Sequence, residues 1–251
     1  MGVRYLDAEA EALQRLRRPI YATQTQTPAS AAARPSTRPA AAAQTSAPQQ
    51  PASLPPVQLP PMPDDREQAM RQVIELVAQC ERCPLHATRK NTVPGAGSLE
   101  AELVFVGEAP GRDEDIQGVP FVGAAGDLLT KMIAAMGYTR EQVFICNICK
   151  CRPPGNRDPQ PDEIEQCEPY LKRQLQILKP KVIVALGRCA AQTLLQSRTP
   201  ISRLRGKWHE YEGVPFMPTF HPAYLLRDAT QKRLCWEDLK EVMRKLGKPV
   251  P

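Results

Sequence analysis

No apolar run in this 251-residue chain is long enough to cross a membrane. No signal-peptide core opens it, and Asp7, Glu9 and Glu11 disagree with an acid-poor transit peptide. The expectation is a cytoplasmic protein. From Thr23 to Pro63 there is no acid and no aromatic residue, and only Arg34 and Arg38 carry charge. Such a stretch cannot bury enough apolar surface to offset its ordering entropy, so residues 23–63 read as a disordered, polyproline-like linker. Ahead of it, Leu6, Leu13 and Leu16 predict a short helix within residues 1–22, marginal by itself, whose sharper reading is a tether for a protein partner. Residues 64–251 remain as one domain of ordinary size. Charge of one sign is scarce there as well. The net +6 is half spent before Asp64, where six arginines face three acids. The domain is only mildly basic, which is weak evidence for nucleic acid.

What is present alternates in type. ELVFVG (102–107), VFICNI (143–148), KVIVALG (181–187) and VPFMPTF (214–220) are short β-rich runs, the first and third almost continuously apolar. Strands buried on both faces read this way. Helical spacing covers Asp64 or Asp65 to Gln79, Gly126 to Met136, Glu163 to Leu178, Cys189 to Leu195 and Thr230 to Leu246. The expected fold is three-layer α/β/α around a small four-stranded parallel sheet. In such sheets ligands sit beyond the C-terminal strand ends.

The polar motifs fall at those ends. GEAPGRDED (107–115) follows the first strand. It lacks the Lys-Ser/Thr ending of a P-loop, and Glu108, Asp113, Glu114 and Asp115 would repel phosphate. It reads as suited to water positioning, base contact or orientation of other groups, or equally as a structural turn with solvated acids. Phe121 follows in a Gly-flanked loop, as a core plug or as a platform for a flat ring. Asn147 ends the second strand and can offer a paired donor and acceptor to a pyrimidine edge, or simply bond nearby backbone. The stiff loop RPPGNRDPQP after it carries Arg152 and Arg157, suited to backbone phosphates. His221, one of only three histidines, closes the fourth strand.

Eight cysteines in a cytosolic chain point to metal rather than disulfides. Cys80 and Cys83 form a CxxC half-site after the first helix. Cys146 and Cys149 match the same spacing, but side chains three apart on a strand face opposite ways. Cys151 and Cys167 are therefore the expected second half, and a four-thiolate set suits zinc or an iron–sulfur cluster equally. Cys146, Cys149, Cys189 and Cys235 are expected core fillers.

CERC (80–83), GEAPGRDED, PFVG (120–123), NICKCRPPGNR (147–157), Cys167 and HPAYLLR (221–227), in this order, resemble the type-four, iron–sulfur uracil-DNA glycosylases. The resemblance spans Cys80 to the last helix. It implies a uracil-glycosylase fold and a [4Fe–4S] cluster on Cys80, Cys83, Cys151 and Cys167. It also implies monofunctional hydrolysis of the N-glycosidic bond of uracil flipped out of single- or double-stranded DNA, by a monomer. Phe121 would then stack on the base and Asn147 read its N3–H and O4 edge. Backbone N–H groups near Glu108 and Ala109 would hold a base oxygen. Glu114 would either pack near C5 against thymine's methyl or serve the structure. His221 would stabilise charge at O2, with Glu108 the leading candidate to position water where related enzymes have an Asp and this chain has Ala109. Leu225, Leu226 or Arg227 would wedge into the base stack. Lys150 is the one lysine within these motifs; the expectation is a monofunctional enzyme without Schiff-base lyase chemistry, and no histidine interrupts RPPGNRDPQP, which argues against covalent trapping of DNA. A second reading keeps the cluster without catalysis, as a DNA-binding or polymerase-associated module.

Overall fold

The structure, a computed structural model, describes residues 57–250. The helix expected within residues 1–22 and the linker up to residue 56 lie outside the described residues. The end of the Pro-rich stretch is laid onto the domain. Val57 and Leu59 pack against the core, and the Arg173 guanidinium donates to the Pro60 carbonyl at 3.0 Å.

Helix α1 (Arg66–Ala78) starts where the Asp65 carboxylate accepts the Gln68 N–H at 2.7 Å, a cap that contributes about 1 kcal/mol. The sheet then assembles from β1 (Ala96–Gly97), β2 (Leu103–Gly107), β3 (Phe144–Asn147), β4 (Val182–Leu186), β5 (His209–Tyr211) and β6 (Val214–Thr219), in the spatial order β1-β3-β2-β4-β6-β5. The four expected strands are β2, β3, β4 and β6, and they run parallel to their neighbours. The expected four-stranded sheet is corrected to six. Antiparallel β1 and β5 close its two edges, through pairs such as Ala96 with Ile145 and Tyr211 with Val214. Two or three residues carry no readable alternation; their pairing partners define them.

Period-2 geometry splits each central strand between two apolar layers. Val104, Val106, Ile183 and Ala185 face α1, α4 (Pro161–Leu178) and α5 (Arg188–Leu194). Leu103, Phe105, Val182 and Val184 face α3 (Ala124–Ala135) and α8 (Lys232–Lys245). Burial on both sides explains the unbroken apolar runs. Short α2 (Arg112–Gln117), α6 (Ile201–Leu204) and α7 (Pro222–Arg227) fill the connections. The parallel strands all deliver their C-terminal ends to one side, which places Glu108, Asn147, Arg188 and His221 around one opening. Among the described residues, no helix is long and apolar enough to cross a membrane.

Candidate active site

That opening is a cleft of about 1160 Å³, lined by Glu108, Ala109, Glu114, Phe121, Asn147, Arg152, Arg157, His221 and Arg227 among others. Asn147 sits at its floor, 2% exposed, with an Oδ1 that is buried and has no hydrogen-bond partner. A buried amide oxygen without a partner carries a desolvation penalty of about 1–3 kcal/mol, which a ligand N–H would remove. The Phe121 ring centroid stands 5.6 Å from that of His221, the planes tilted by 33°. Gly107 makes this packing possible: a Cβ there would lie 2.3 Å from Asn147 Oδ1 and 2.7 Å from Phe121 Cζ.

Phe121 itself holds a left-handed backbone, φ 53°, which non-glycine residues adopt at a cost of about 1–3 kcal/mol. Two features hold it there. Glu114 Oε1 accepts the Val122 and Gly123 N–H groups at 3.0 and 3.2 Å. Gly126 lets α3 start directly beneath the turn, since a Cβ would fall 1.9 Å from the Phe121 carbonyl oxygen. Glu114 is thus hydrogen-bonded to the aromatic turn while also lining the cleft.

His221 Nδ1 accepts the Ala223 N–H at 3.1 Å, capping α7. An accepting Nδ1 places the ring proton on Nε2, so the imidazole is a donor toward the cleft. Burial, helped by the Arg227 charge, pushes its pKa down to about 4, and the ring is neutral at physiological pH. Beneath it, Asp238 accepts from Thr219 Oγ1 at 2.6 Å and from Arg205 Nε at 3.0 Å, and Arg205 lies over the Phe220 ring. This buried network fixes the end of β6, from which His221 projects. Glu108 behaves oppositely to His221. Burial, then the neighbouring Asp158 carboxylate, push it up to about 7 against the opposing Arg188 charge. Asp158 and Arg188 are themselves ion-paired.

The four expected cysteines also converge. Cys80, Cys83, Cys151 and Cys167 line one small cavity between α1 and α4, together with Arg89, Lys150 and Tyr170. Arg89 Nη1 donates to Cys151 Sγ at 3.2 Å and the Lys150 N–H to Cys167 Sγ at 3.1 Å. Such N–H···S contacts suit thiolates. Burial first, then the neighbouring cysteines, push the free thiols of Cys83 and Cys151 up, to about 12 and about 11, so thiolates here need a cationic centre. The donor set fits an iron–sulfur cluster, although among the described residues no three His, Cys, Asp or Glu side chains are arranged for a single metal ion. Cys146, Cys189 and Cys235 are buried as expected; Cys149 is buried too and lies against Cys167.

Residues 94–240 match the model of the uracil DNA glycosylase superfamily. The chain is 46% identical over 192 residues to the type-4 uracil-DNA glycosylase of Archaeoglobus fulgidus, covering 73% of this chain and 96% of that one. The type-4 uracil-DNA glycosylase of Thermotoga maritima is 45% identical over 180 residues, 70% of this chain and 94% of that one. This chain belongs to the type-4 uracil-DNA glycosylase family.

In this type-4 chain the expected site residues do not all share the cleft. Leu225 is 1% exposed and packed in the core, so it is withdrawn as a wedge. Pro222 starts α7, and the helical turn sends Leu225 inward while Leu226 is 48% exposed. Arg157 is engaged by Glu163, through bonds of 2.8 and 2.6 Å that pin the loop to α4. Arg152 donates to Asn156 Oδ1 at 2.7 Å on the cleft wall. Asp158, Arg188, Asn156 and Tyr224 line the cleft without having been expected there. The basic loop motif contains Asn156 and Asp158 and HPAYLLR contains Tyr224, while no motif contains Arg188.

Proposed function

We propose that this protein is a monofunctional uracil-DNA glycosylase, hydrolysing the bond between C1′ of deoxyribose and N1 of uracil flipped out of DNA. The observation that carries the reading is the unpartnered Asn147 Oδ1 at the floor of a cleft walled by Phe121 and His221. Uracil N3–H donates to Oδ1 while its O4 accepts from Nδ2, and the base lies on the Phe121 ring. Cytosine presents a lone pair and an amino group instead. Two buried mismatches, each costing about 1–3 kcal/mol, then reject it.

As the C1′–N1 bond breaks, its electrons pass to uracil and charge gathers on O2. The neutral His221 Nε2–H donates there; one such preorganised donor lowers the barrier by about 3 kcal/mol. Backbone N–H groups beside Glu108 and Ala109 hold the base. Ionised Glu108 orients a water and takes its proton as the water oxygen bonds C1′. Arg152, Arg227 and Leu226 face the DNA, and Arg157 adds charge from its pinned position.

Cys80, Cys83, Cys151 and Cys167 would hold a [4Fe–4S] cluster, whose contribution is a cross-link between α1 and the loop that precedes α4. The four thiols around one cavity and the family resemblance support this.

The test is an oligonucleotide bearing one uracil, incubated with protein and then with alkali. Scission at uracil is expected from the wild type and not from Asn147→Ala or His221→Ala. An inactive, iron-loaded wild type would sink the proposal and favour a non-catalytic DNA-binding module.

A further inference from the structure

We infer that Lys150 is a positioning residue for Asn147, joining the base-reading amide to the cysteine site through a single residue. The inference rests on the uracil-glycosylase reading and deepens it.

Lys150 is 1% exposed, an unusual place for an ammonium group. Its Nζ donates to the Asn147 carbonyl at 2.8 Å and to Gln174 Oε1 at 2.6 Å. Gln174 is fully buried, and its Nε2 donates in turn to the Pro94 carbonyl at 2.8 Å. The Lys150 backbone is tied at both ends. Its N–H donates to Cys167 Sγ at 3.1 Å, and its carbonyl accepts the Val93 N–H at 2.8 Å. Both hydrogen-bond partners of the ammonium are neutral oxygens.

Burying an ammonium costs more than burying a methionine of similar length. In return, this one fixes the peptide plane that follows Asn147. That plane sets the direction of the Asn147 Cα–Cβ bond, hence where Oδ1 and Nδ2 stand. The adjacent strand holds the N–H side of the same plane, the Ile148 N–H donating to the Gly107 carbonyl at 3.0 Å, and Lys150 holds its carbonyl side. Fixing the plane through a side chain anchored at Cys167 makes the geometry of the pocket depend on the geometry of the cysteine site. Lys150 touches no substrate; it acts through Asn147.

The experiment compares the iron-loaded full chain with Lys150→Met and Gln174→Leu. Single-turnover cleavage of a uracil oligonucleotide is measured per active site, together with inhibition by free uracil, iron content and melting temperature. Lys150→Met is expected to slow the per-site rate about 10–100-fold, the scale of a displacement of roughly 1 Å. The inhibition constant for uracil should rise in parallel, while affinity for uracil-free DNA stays unchanged. Gln174→Leu should shift both quantities the same way by less. A purely structural role would lower iron content and melting temperature while leaving the per-site rate and uracil inhibition at wild-type values; that outcome overturns the inference. If Lys150→Met does not fold, Gln174→Leu decides by the same criteria. A wild type that neither cleaves nor is inhibited by uracil overturns the glycosylase reading itself. An active wild type with both variants unchanged overturns only the role of Lys150.

Discussion

A single methyl group at Gly107 tests whether Phe121 and Asn147 work as a rigid pair. In Gly107→Ala the new Cβ would lie 2.3 Å from Asn147 Oδ1 and 2.7 and 2.8 Å from two Phe121 ring carbons. These approaches fall about 1 Å short of van der Waals contact, so the amide, the ring or both must retreat by that amount. A misplacement of roughly 1 Å costs about 10²-fold in rate. Overpacking a dense site also costs about 1–3 kcal/mol of stability, or a melting decrease of roughly 2–4 °C per kcal/mol in a domain of this size. Gly137→Ala is the control. It places an alanine at φ 76° with nothing within 4 Å of its Cβ, so it loses stability to backbone strain without touching the cleft. Single-turnover cleavage of a uracil oligonucleotide, well below either melting temperature, separates the two. The expectation is a loss near two orders of magnitude for Gly107→Ala and none for Gly137→Ala. A Gly107→Ala rate within about threefold of wild type, roughly 0.7 kcal/mol of barrier, would refute the idea that the pocket is preformed.

Glu108 gives a pH signature. Its carboxyl is pushed up to about 7, so the single-turnover rate should fall about tenfold per pH unit below that point, and Glu108→Gln should be slow with no such limb. Stability runs the other way. The folded carboxyl holds its proton more tightly than the unfolded one, so this contribution is full below pH 4.5 and is lost as pH rises through about 7. Glu108→Gln should therefore melt higher than wild type at pH 8. Cys167→Ala should lose iron and its visible absorbance and melt earlier; full colour and unchanged melting would rule out the four-cysteine assignment. Asp238→Ala leaves the guanidinium of Arg205 buried without its carboxylate and should cost about 3–5 kcal/mol in denaturant unfolding.

The parallel sheet was legible because its strands are buried on both faces, so that Val104 and Phe105 are equally apolar although they face different layers. The convergence of Cys80, Cys83, Cys151 and Cys167 was legible from spacing but not from strand alternation, since β3 ends at Asn147 and Cys149 lies beyond it against Cys167. Other features escaped for physical reasons. RDEDIQ reads as a solvated acidic loop, yet Gly111 precedes it and Gly118, at φ 71°, stops it as a helix too short to show a period. HPAYLLR reads as loop until Pro222 is recognised at a helix start, and that start is what turns Leu225 inward. The burial of Lys150 and Asp238 left no sequence signal, because their side-chain partners Gln174 and Arg205 lie 24 and 33 residues away. Asp158 and Arg188 meet because the long loop after β3 reaches across the end of β2 to the helix start that follows β4.

The left-handed turn at Phe121 has a thermal consequence. Its backbone would relax elsewhere if released, and it is restrained by one carboxylate oxygen of Glu114, the bare surface of Gly126, the Arg140 bond to the Pro120 carbonyl at 2.7 Å and the buried Phe121 ring. The turn is an irregular loop beside the cleft, joined to one apolar layer by the Phe121 ring, while the sheet is held by two full layers. Local opening free energies span a wide range within one fold, and strained loops belong at the low end. The base platform should accordingly come apart before the sheet does, giving reversible heat inactivation a midpoint below that of global unfolding. The useful temperature range of the molecule is then set by one turn of chain rather than by its core.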